Sequence, residues 1–118
     1  MKIDLSATWT PSQEEFYLFA RISGDDNPIH VDPEFSARTA FGRTVSHGML
    51  IYTKLWGLLI ASHPETRQTG QTMMFPNPCY TGEPVELRVN GQCPGTLSVR
   101  AVRAADGAEL LVGETGVA

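Results

Sequence analysis

The chain has 118 residues and a formal net charge of −4 at pH 7; 42% of its residues are hydrophobic and 19% are charged. This composition is typical of a folded globular protein with a small core of its own, and it excludes a disordered chain. The acidic balance argues against nucleic acid as a partner, because proteins that bind phosphate backbones present a basic face. We expect a single domain over residues 1–118.

Three features predict the compartment. No signal-peptide pattern opens the sequence, and the longest apolar stretch, residues 48–62, is interrupted by Lys54 and too short to span a bilayer. The two cysteines, Cys79 and Cys93, form no CxxC motif, so we expect free or buried thiols rather than a disulfide. The sequence therefore predicts a cytoplasmic protein that does not contact membranes.

The chain is predicted to begin with a short edge strand over residues 2–10, followed by a helix. Thr10 is the expected N-cap of this helix, with Pro11 at the first helical position and Gln13 completing a capping box. Gly24 is expected to end the helix, since glycine readily adopts the left-handed conformation at a C-terminus.

Two further helices are predicted before residue 63. Asp32 is the expected N-cap of a brief helix that runs to about residue 39, and Ser46 is a possible cap for a longer one. The longer helix is apolar nearly all round, which indicates that protein surrounds it.

The second half of the chain is predicted to form strands. Val85, Leu87 and Val89 alternate with polar residues, the pattern of an antiparallel strand with one buried face. The candidate strands are residues 72–75, 85–89, 97–102 and 110–112. A buried helix followed by an antiparallel meander indicates an α+β fold with the sheet wrapped around that helix.

A carboxylate and an imidazole, Asp25 and His30, lie five residues apart. Gly24 and Pro28 punctuate this segment, so we expect a loop rather than a regular helix. Such a loop can aim both side chains at one small molecule, and this pair commonly moves protons on and off water. The alternative is that Asp25 caps a turn and that His30 is a structural histidine.

Gly48 is expected in the first turn of the long helix, directly after His47. Backbone N–H groups in that turn lack partners within the helix and can bind developing negative charge. Gly48 is therefore a candidate oxyanion site, although a glycine there can also serve close packing. For His47, a packing role at the helix end is favoured over catalysis.

The motif Gly24-Asp25-x-Asn27-Pro28-x-His30, followed by His47-Gly48-Met49, resembles the hydratase signature of the MaoC-like (R)-specific enoyl-CoA hydratases. The resemblance implies a hot-dog fold, a homodimer and the addition of water to a trans-2-enoyl thioester carried by CoA or by an acyl-carrier protein. It also implies that Asp25 and His30 hold one water, which is added syn across the double bond. Which of the two is the base stays open.

Other residues near the motif have supporting roles in this prediction. Asn27 is expected to organise the loop, and Asp26, where relatives often carry a bulkier residue, to face solvent. Trp56 shares one helix face with Gly48 and Tyr52, at i, i+4 and i+8 spacing. It either narrows the acyl tunnel, which would favour short acyl groups, or only packs against the sheet.

No metal and no cofactor are expected. His30 and Asp32 are a possible ligand pair, but no spaced cluster of Cys or His residues supplies a third ligand. The alternatives to a hydratase are an acyl-carrier-protein dehydratase or a thioesterase on the same fold, or a non-catalytic subunit that binds acyl thioesters.

Overall fold

The computed structural model describes all 118 residues. The elements in chain order are β1 (Lys2–Trp9), α1 (Gln13–Ser23), α2 (Pro28–Val31), α3 (Pro33–Ala37), α4 (Gly48–Ser62), β2 (Gln68–Met74), β3 (Val85–Gln92), β4 (Gly95–Arg103) and β5 (Glu109–Val117). None of the four helices has both the length and the apolar character that crossing a bilayer requires.

The five strands form one antiparallel sheet in the order β1-β3-β4-β5-β2. Helix α4 contacts β1, β3, β4 and β5, so four strands pack around one helix. Leu55 and Leu59 of α4 and Leu97 and Leu111 of the sheet are at most 1% exposed, which locates the core between helix and sheet. This is the α+β arrangement that the sequence predicts.

All four strands predicted in the second half of the chain are longer in the structure, and β2 and β5 differ most in where they begin or end. β2 begins at Gln68 rather than at residue 72, and β5 covers Glu109–Val117 rather than residues 110–112. The predicted strand ended just before Gly113, which lies inside β5, and a Cβ at Gly113 would clash with the backbone oxygen of Thr72. Glycine therefore permits the close approach of two strands at this point.

The capping box of α1 lies two residues later than predicted. Ser12 is the N-cap: its hydroxyl accepts a hydrogen bond from the Glu15 N–H (3.2 Å), and the Glu15 carboxylate accepts one from the Ser12 N–H (3.1 Å). The assignment of Thr10 and Gln13 was wrong because both pairs fit the same pattern. Gly24 ends the helix with φ of 82°, as predicted.

The predicted loop between the motif residues contains a short helix. Proline at the first position begins α2, and Asn27 caps it by accepting from the Ile29 N–H at 3.2 Å. Pro28 was therefore a helix start rather than a helix breaker. The predicted cap Asp32 is confirmed, since its carboxylate accepts from the Phe35 N–H at 3.0 Å, and α3 ends at Ala37.

Two expectations for α4 are corrected. His47, not Ser46, occupies the N-cap position, and the Ser46 hydroxyl donates instead to the His47 carbonyl oxygen at 2.9 Å. In addition, the rest of the chain does not cover all of α4, because Met49, Thr53 and Gly57 are exposed at i, i+4 and i+8.

Candidate active site

A cavity of about 490 Å³ lies where the N-terminus of α4 meets the segment from Asp25 to His30 and the residues that follow β2. Asp25, His30, His47 and Gly48 all line it. The fold thus brings together four of the six residues that the sequence singles out. Asn27 is not part of the lining and acts from behind as the cap of α2.

Asp25 and His30 face each other across a gap. His30 Nε2 lies 3.8 Å from Asp25 Oδ2, and the His30 side chain is 10% exposed while that of Asp25 is 56% exposed. This separation exceeds a hydrogen bond but allows one water molecule to contact both atoms. The Asp25 N–H donates to the Ser23 hydroxyl at 3.1 Å, which fixes the residue at the end of α1. Asp26 is exposed, as expected.

Backbone contacts fix the His30 ring. His30 Nδ1 lies 2.8 Å from the carbonyl oxygen of Val45. Because a carbonyl oxygen can only accept, Nδ1 carries the hydrogen and Nε2 is left as an acceptor directed at Asp25. The Val45 N–H donates to the Ile29 carbonyl oxygen at 3.0 Å, so two hydrogen bonds hold Val45 against α2.

Gln13 also holds His30 in place, a role that the sequence did not predict. Its amide Nε2 donates to the His30 carbonyl oxygen at 2.8 Å, and its Oε1 accepts from the Thr44 hydroxyl at 2.6 Å. Gln13 was predicted to complete a capping box. Its true contact spans 17 residues and has no local signal.

His47 contacts both members of the pair. Its ring stacks on that of His30, with centroids 3.9 Å apart and an interplanar angle of 24°. His47 Nε2 donates to the Asp25 carbonyl oxygen at 2.9 Å, while Nδ1 is buried without a hydrogen-bond partner. Burial lowers the pKa of His47, and the nearby His30 adds to this effect. Together they outweigh the hydrogen bond to the Asp25 backbone and the Asp25 charge, which both act to raise the pKa. The His47 ring is therefore neutral at pH 7.

Gly48 begins α4 and packs beneath an aromatic ring. A Cβ at Gly48 would lie 2.6 Å from Phe75 Cζ, closer than real contacts allow. As the first helical residue, Gly48 has an N–H with no partner within the helix. The position thus combines the space that only glycine leaves with a donor at the positive end of the helix dipole.

Cys79 is the one thiol in the cavity wall. Burial raises its pKa to about 12, against the smaller opposing effect of Arg103. The group is therefore a neutral thiol at pH 7 and a poor nucleophile. Cys79 and Cys93 are both free, in agreement with the expectation of no disulfide.

The fold brings together a set of potential metal ligands that differs from the His30 and Asp32 pair considered in the sequence. One potential ligand atom each from Asp25, His30 and His47 lies within 4.8 Å of the others. However, His47 Nε2 already donates to a carbonyl oxygen, and the two imidazole rings stack rather than converge on a point. The arrangement fits proton transfer better than metal coordination.

Trp56 lies outside the cavity lining. It is half-buried against the core, with its ring centroid 6.5 Å from that of Tyr52. The Tyr52 hydroxyl donates to Gln68 of β2, so this helix face points at the sheet. Neither aromatic residue lines the cavity that contains Gly48.

Comparison with known proteins gives consistent matches. Residues 1–109 match the family model of the MaoC like domain. The chain is 40% identical over 77 residues to an (R)-specific enoyl-CoA hydratase from Aeromonas caviae. This match covers 64% of this chain and 58% of that relative. Among solved structures, an unliganded R-hydratase from Pseudomonas aeruginosa matches with a TM-score of 0.86 and 27% identity, covering 99% of this chain and 79% of that one. An (R)-hydratase from A. caviae involved in PHA biosynthesis matches with a TM-score of 0.84 and 34% identity, covering 99% of this chain and 92% of that one.

These matches extend over different lengths. The chain spans somewhat more than half of the curated A. caviae relative. The structural matches cover nearly the whole chain and confirm the predicted hot-dog fold. Since the family model covers all but the last nine residues, the chain belongs to the family of MaoC-like domains.

Proposed function

We propose that this protein adds water reversibly to the double bond of a trans-2-enoyl thioester and forms the (R)-3-hydroxyacyl thioester. The observation that carries the proposal is the 3.8 Å gap between His30 Nε2 and Asp25 Oδ2, two acceptors that one water molecule can contact together. The similarity to (R)-specific hydratases supports the reaction class and the stereochemistry.

In this mechanism His30 is the base. Its Nδ1–H is committed to the Val45 carbonyl oxygen, so Nε2 can take a proton from the bound water while the water oxygen attacks C3. The Asp25 carboxylate accepts the second hydrogen of the water and stabilises the imidazolium that forms. The new Nε2–H then delivers its proton to C2 on the same face, which gives syn addition.

Gly48 serves the developing charge in this proposal. Attack at C3 moves electrons to the thioester oxygen, and the N–H at the start of α4 is a donor of the kind that stabilises such an enolate. The donor acts more strongly on the transition state than on the substrate, so it lowers the barrier rather than only tightening binding.

The cavity rim suits an acyl thioester. Phe41, Met49 and Phe75 line the cavity and are between 39% and 50% exposed, which gives it an apolar mouth. We assign to it a substrate carried by CoA or by the phosphopantetheine arm of an acyl-carrier protein, with no further cofactor. A homodimer belongs to the same proposal, since the sheet has an unpaired edge at β2.

A thioesterase is the alternative on this fold. The neutral Cys79 thiol makes covalent catalysis by that residue unfavourable, and a water held between Asp25 and His30 is also able to attack a thioester carbonyl. Crotonyl-CoA distinguishes the two reactions: hydration removes the enoyl absorbance without releasing thiol, whereas hydrolysis releases CoA that a thiol reagent detects.

The proposed function predicts that Asp25→Asn and His30→Ala each lower kcat for crotonyl-CoA hydration by roughly 10²–10⁴-fold. Because both side chains act on one water, the double variant should lose little more than either single variant. Asp26→Asn and His63→Ala are matched controls outside the cavity lining and should keep wild-type rates. Full activity in either Asp25→Asn or His30→Ala would contradict the mechanism.

A further inference from the structure

His47 is the only side chain that ties the two groups of the proposed dyad to each other. It donates from Nε2 to the Asp25 backbone oxygen at 2.9 Å, and its ring lies on the His30 ring at a centroid distance of 3.9 Å. Asp25 Oδ2 and His30 Nε2 are 3.8 Å apart and do not hydrogen-bond to each other directly. The width of the gap that a water must fill therefore depends on the contacts that hold each of the two residues.

Several contacts fix His47 itself. It is 2% exposed, and Phe19 and Phe16 pack on its ring at centroid distances of 4.9 and 6.3 Å. It occupies the N-cap position of α4 without making a side-chain cap bond, so its donor is directed at Asp25 instead of at the helix. A neutral ring in this tautomer is a rigid donor on a rigid element.

We infer that His47 is a positioning residue that sets the distance between Asp25 and His30, an inference that rests on the proposed function. The Nε2–H holds the backbone of Asp25, and the stacked face fixes the plane of the His30 ring. Since a misplacement of about 1 Å can cost on the order of 10²-fold in rate, this contact controls kcat without providing a reacting atom.

The test compares His47→Gln with His47→Asn and His47→Phe. The Gln amide nitrogen reaches approximately the position of Nε2, the shorter Asn amide does not, and Phe keeps an aromatic ring against His30 but has no donor. For crotonyl-CoA we expect His47→Asn and His47→Phe to lower kcat by roughly 30- to 100-fold. His47→Gln should stay within about tenfold of wild type, because it restores the donor. KM should change by less than about threefold in all three variants, because only 2% of the His47 surface is exposed and little of it can contact a substrate.

The kinetic comparison is made together with urea unfolding and with amide hydrogen exchange of residues 24–27. Faster exchange in the Asn and Phe variants than in the Gln variant supports the hydrogen bond as the anchor of this loop. Wild-type kcat in His47→Phe, or equal kcat in the Gln and Asn variants at equal stability, overturns the inference. If the wild-type protein does not turn over crotonyl-CoA, the proposed function fails. In that case the hydrogen-exchange data alone test whether His47 positions Asp25: faster exchange in the Asn and Phe variants supports this role, and equal exchange in all variants rejects it.

Discussion

Gly48 illustrates how one residue can satisfy two physical demands. Its missing side chain gives Phe75 room to pack against the start of α4, and its N–H lies at the positive end of the helix dipole. Replacement by alanine keeps the N–H and removes only the space. The two roles can therefore be separated by mutation.

At this position we predict that Gly48→Ala lowers kcat/KM by roughly tenfold, because the new Cβ displaces the Phe75 ring from the cavity wall. Phe75→Ala removes the clash, so the double variant should match Phe75→Ala alone rather than show the product of both losses. The measurement is a double-mutant cycle in kcat/KM with crotonyl-CoA. Multiplicative losses would show that alanine disturbs the donor itself.

The contacts around the dyad also show which parts of a site a sequence reveals. Asp25, His30 and Gly48 belong to a motif with local spacing, and the fold brings all three to one cavity. The Val45 carbonyl oxygen that orients His30 is a backbone atom, which every residue type provides, so its role depends on the fold alone. Gln13 was visible but misassigned, since its partner His30 is distant in sequence.

The helices and strands were predicted from the pattern of hydrophobic residues, and these predictions were most accurate where the pattern was strong. β3, with its alternating apolar residues, begins at Val85 as predicted. Most of β2 lacks this alternation, so the predicted strand was shorter than the real one. The apolar surface of α4 was interpreted as complete burial, yet Met49, Thr53 and Gly57 form an exposed strip within the chain. A sequence pattern records that a face is apolar but not which molecule covers it.

Trp56 is where spacing and contacts disagree. Its spacing from Gly48 predicts a place beside the acyl chain, whereas its contacts are with the core and with Tyr52. The contacts favour packing, and we predict that Trp56→Ser lowers the free energy of unfolding by roughly 1–3 kcal/mol, less than for a fully buried tryptophan. It should leave the ratio of octenoyl-CoA to crotonyl-CoA turnover unchanged.

Ile51→Ala is the positive control for this experiment, because Ile51 is buried, lies on the same helix and lines the cavity. That substitution enlarges the cavity and should change the chain-length ratio. A rise in the ratio for Trp56→Ser would instead restore the idea that Trp56 limits the acyl tunnel.

The sheet order of the whole molecule could not be derived from the pattern of elements. β2 directly follows α4 in the chain, yet it lies at the far edge beside β5, while β1 occupies the opposite edge. Alternation identifies strands without specifying their neighbours, so pattern alone reached only an α+β class. The resemblance carried by the motif supplied the hot-dog topology, which the structural matches confirm.

The two edges of the sheet differ in their protection. β1 carries Lys2 and Asp4, whereas β2, with the sequence Gln-Thr-Gly-Gln-Thr-Met-Met, contains no charged residue and no proline. Edge strands that avoid pairing usually contain such residues, so we expect β2 rather than β1 to pair with a partner strand. A second copy of this chain is the simplest partner, because a two-fold axis through the middle of β2 would join two sheets into one.

We therefore predict a homodimer paired through β2, with a mass in light scattering of twice 12.9 kDa. Thr72 is exposed on β2, and Thr72→Lys would bring two like charges together across the two-fold axis, which should weaken the dimer by roughly tenfold or more. Thr8→Lys makes the same chemical change at an exposed position of the opposite edge strand, β1, and should leave the dimer intact. The dimer dissociation constant of each variant is measured by sedimentation equilibrium across a range of protein concentrations. A wild-type monomer with full activity would refute the dimer, and equal weakening by both lysines would move the interface away from β2.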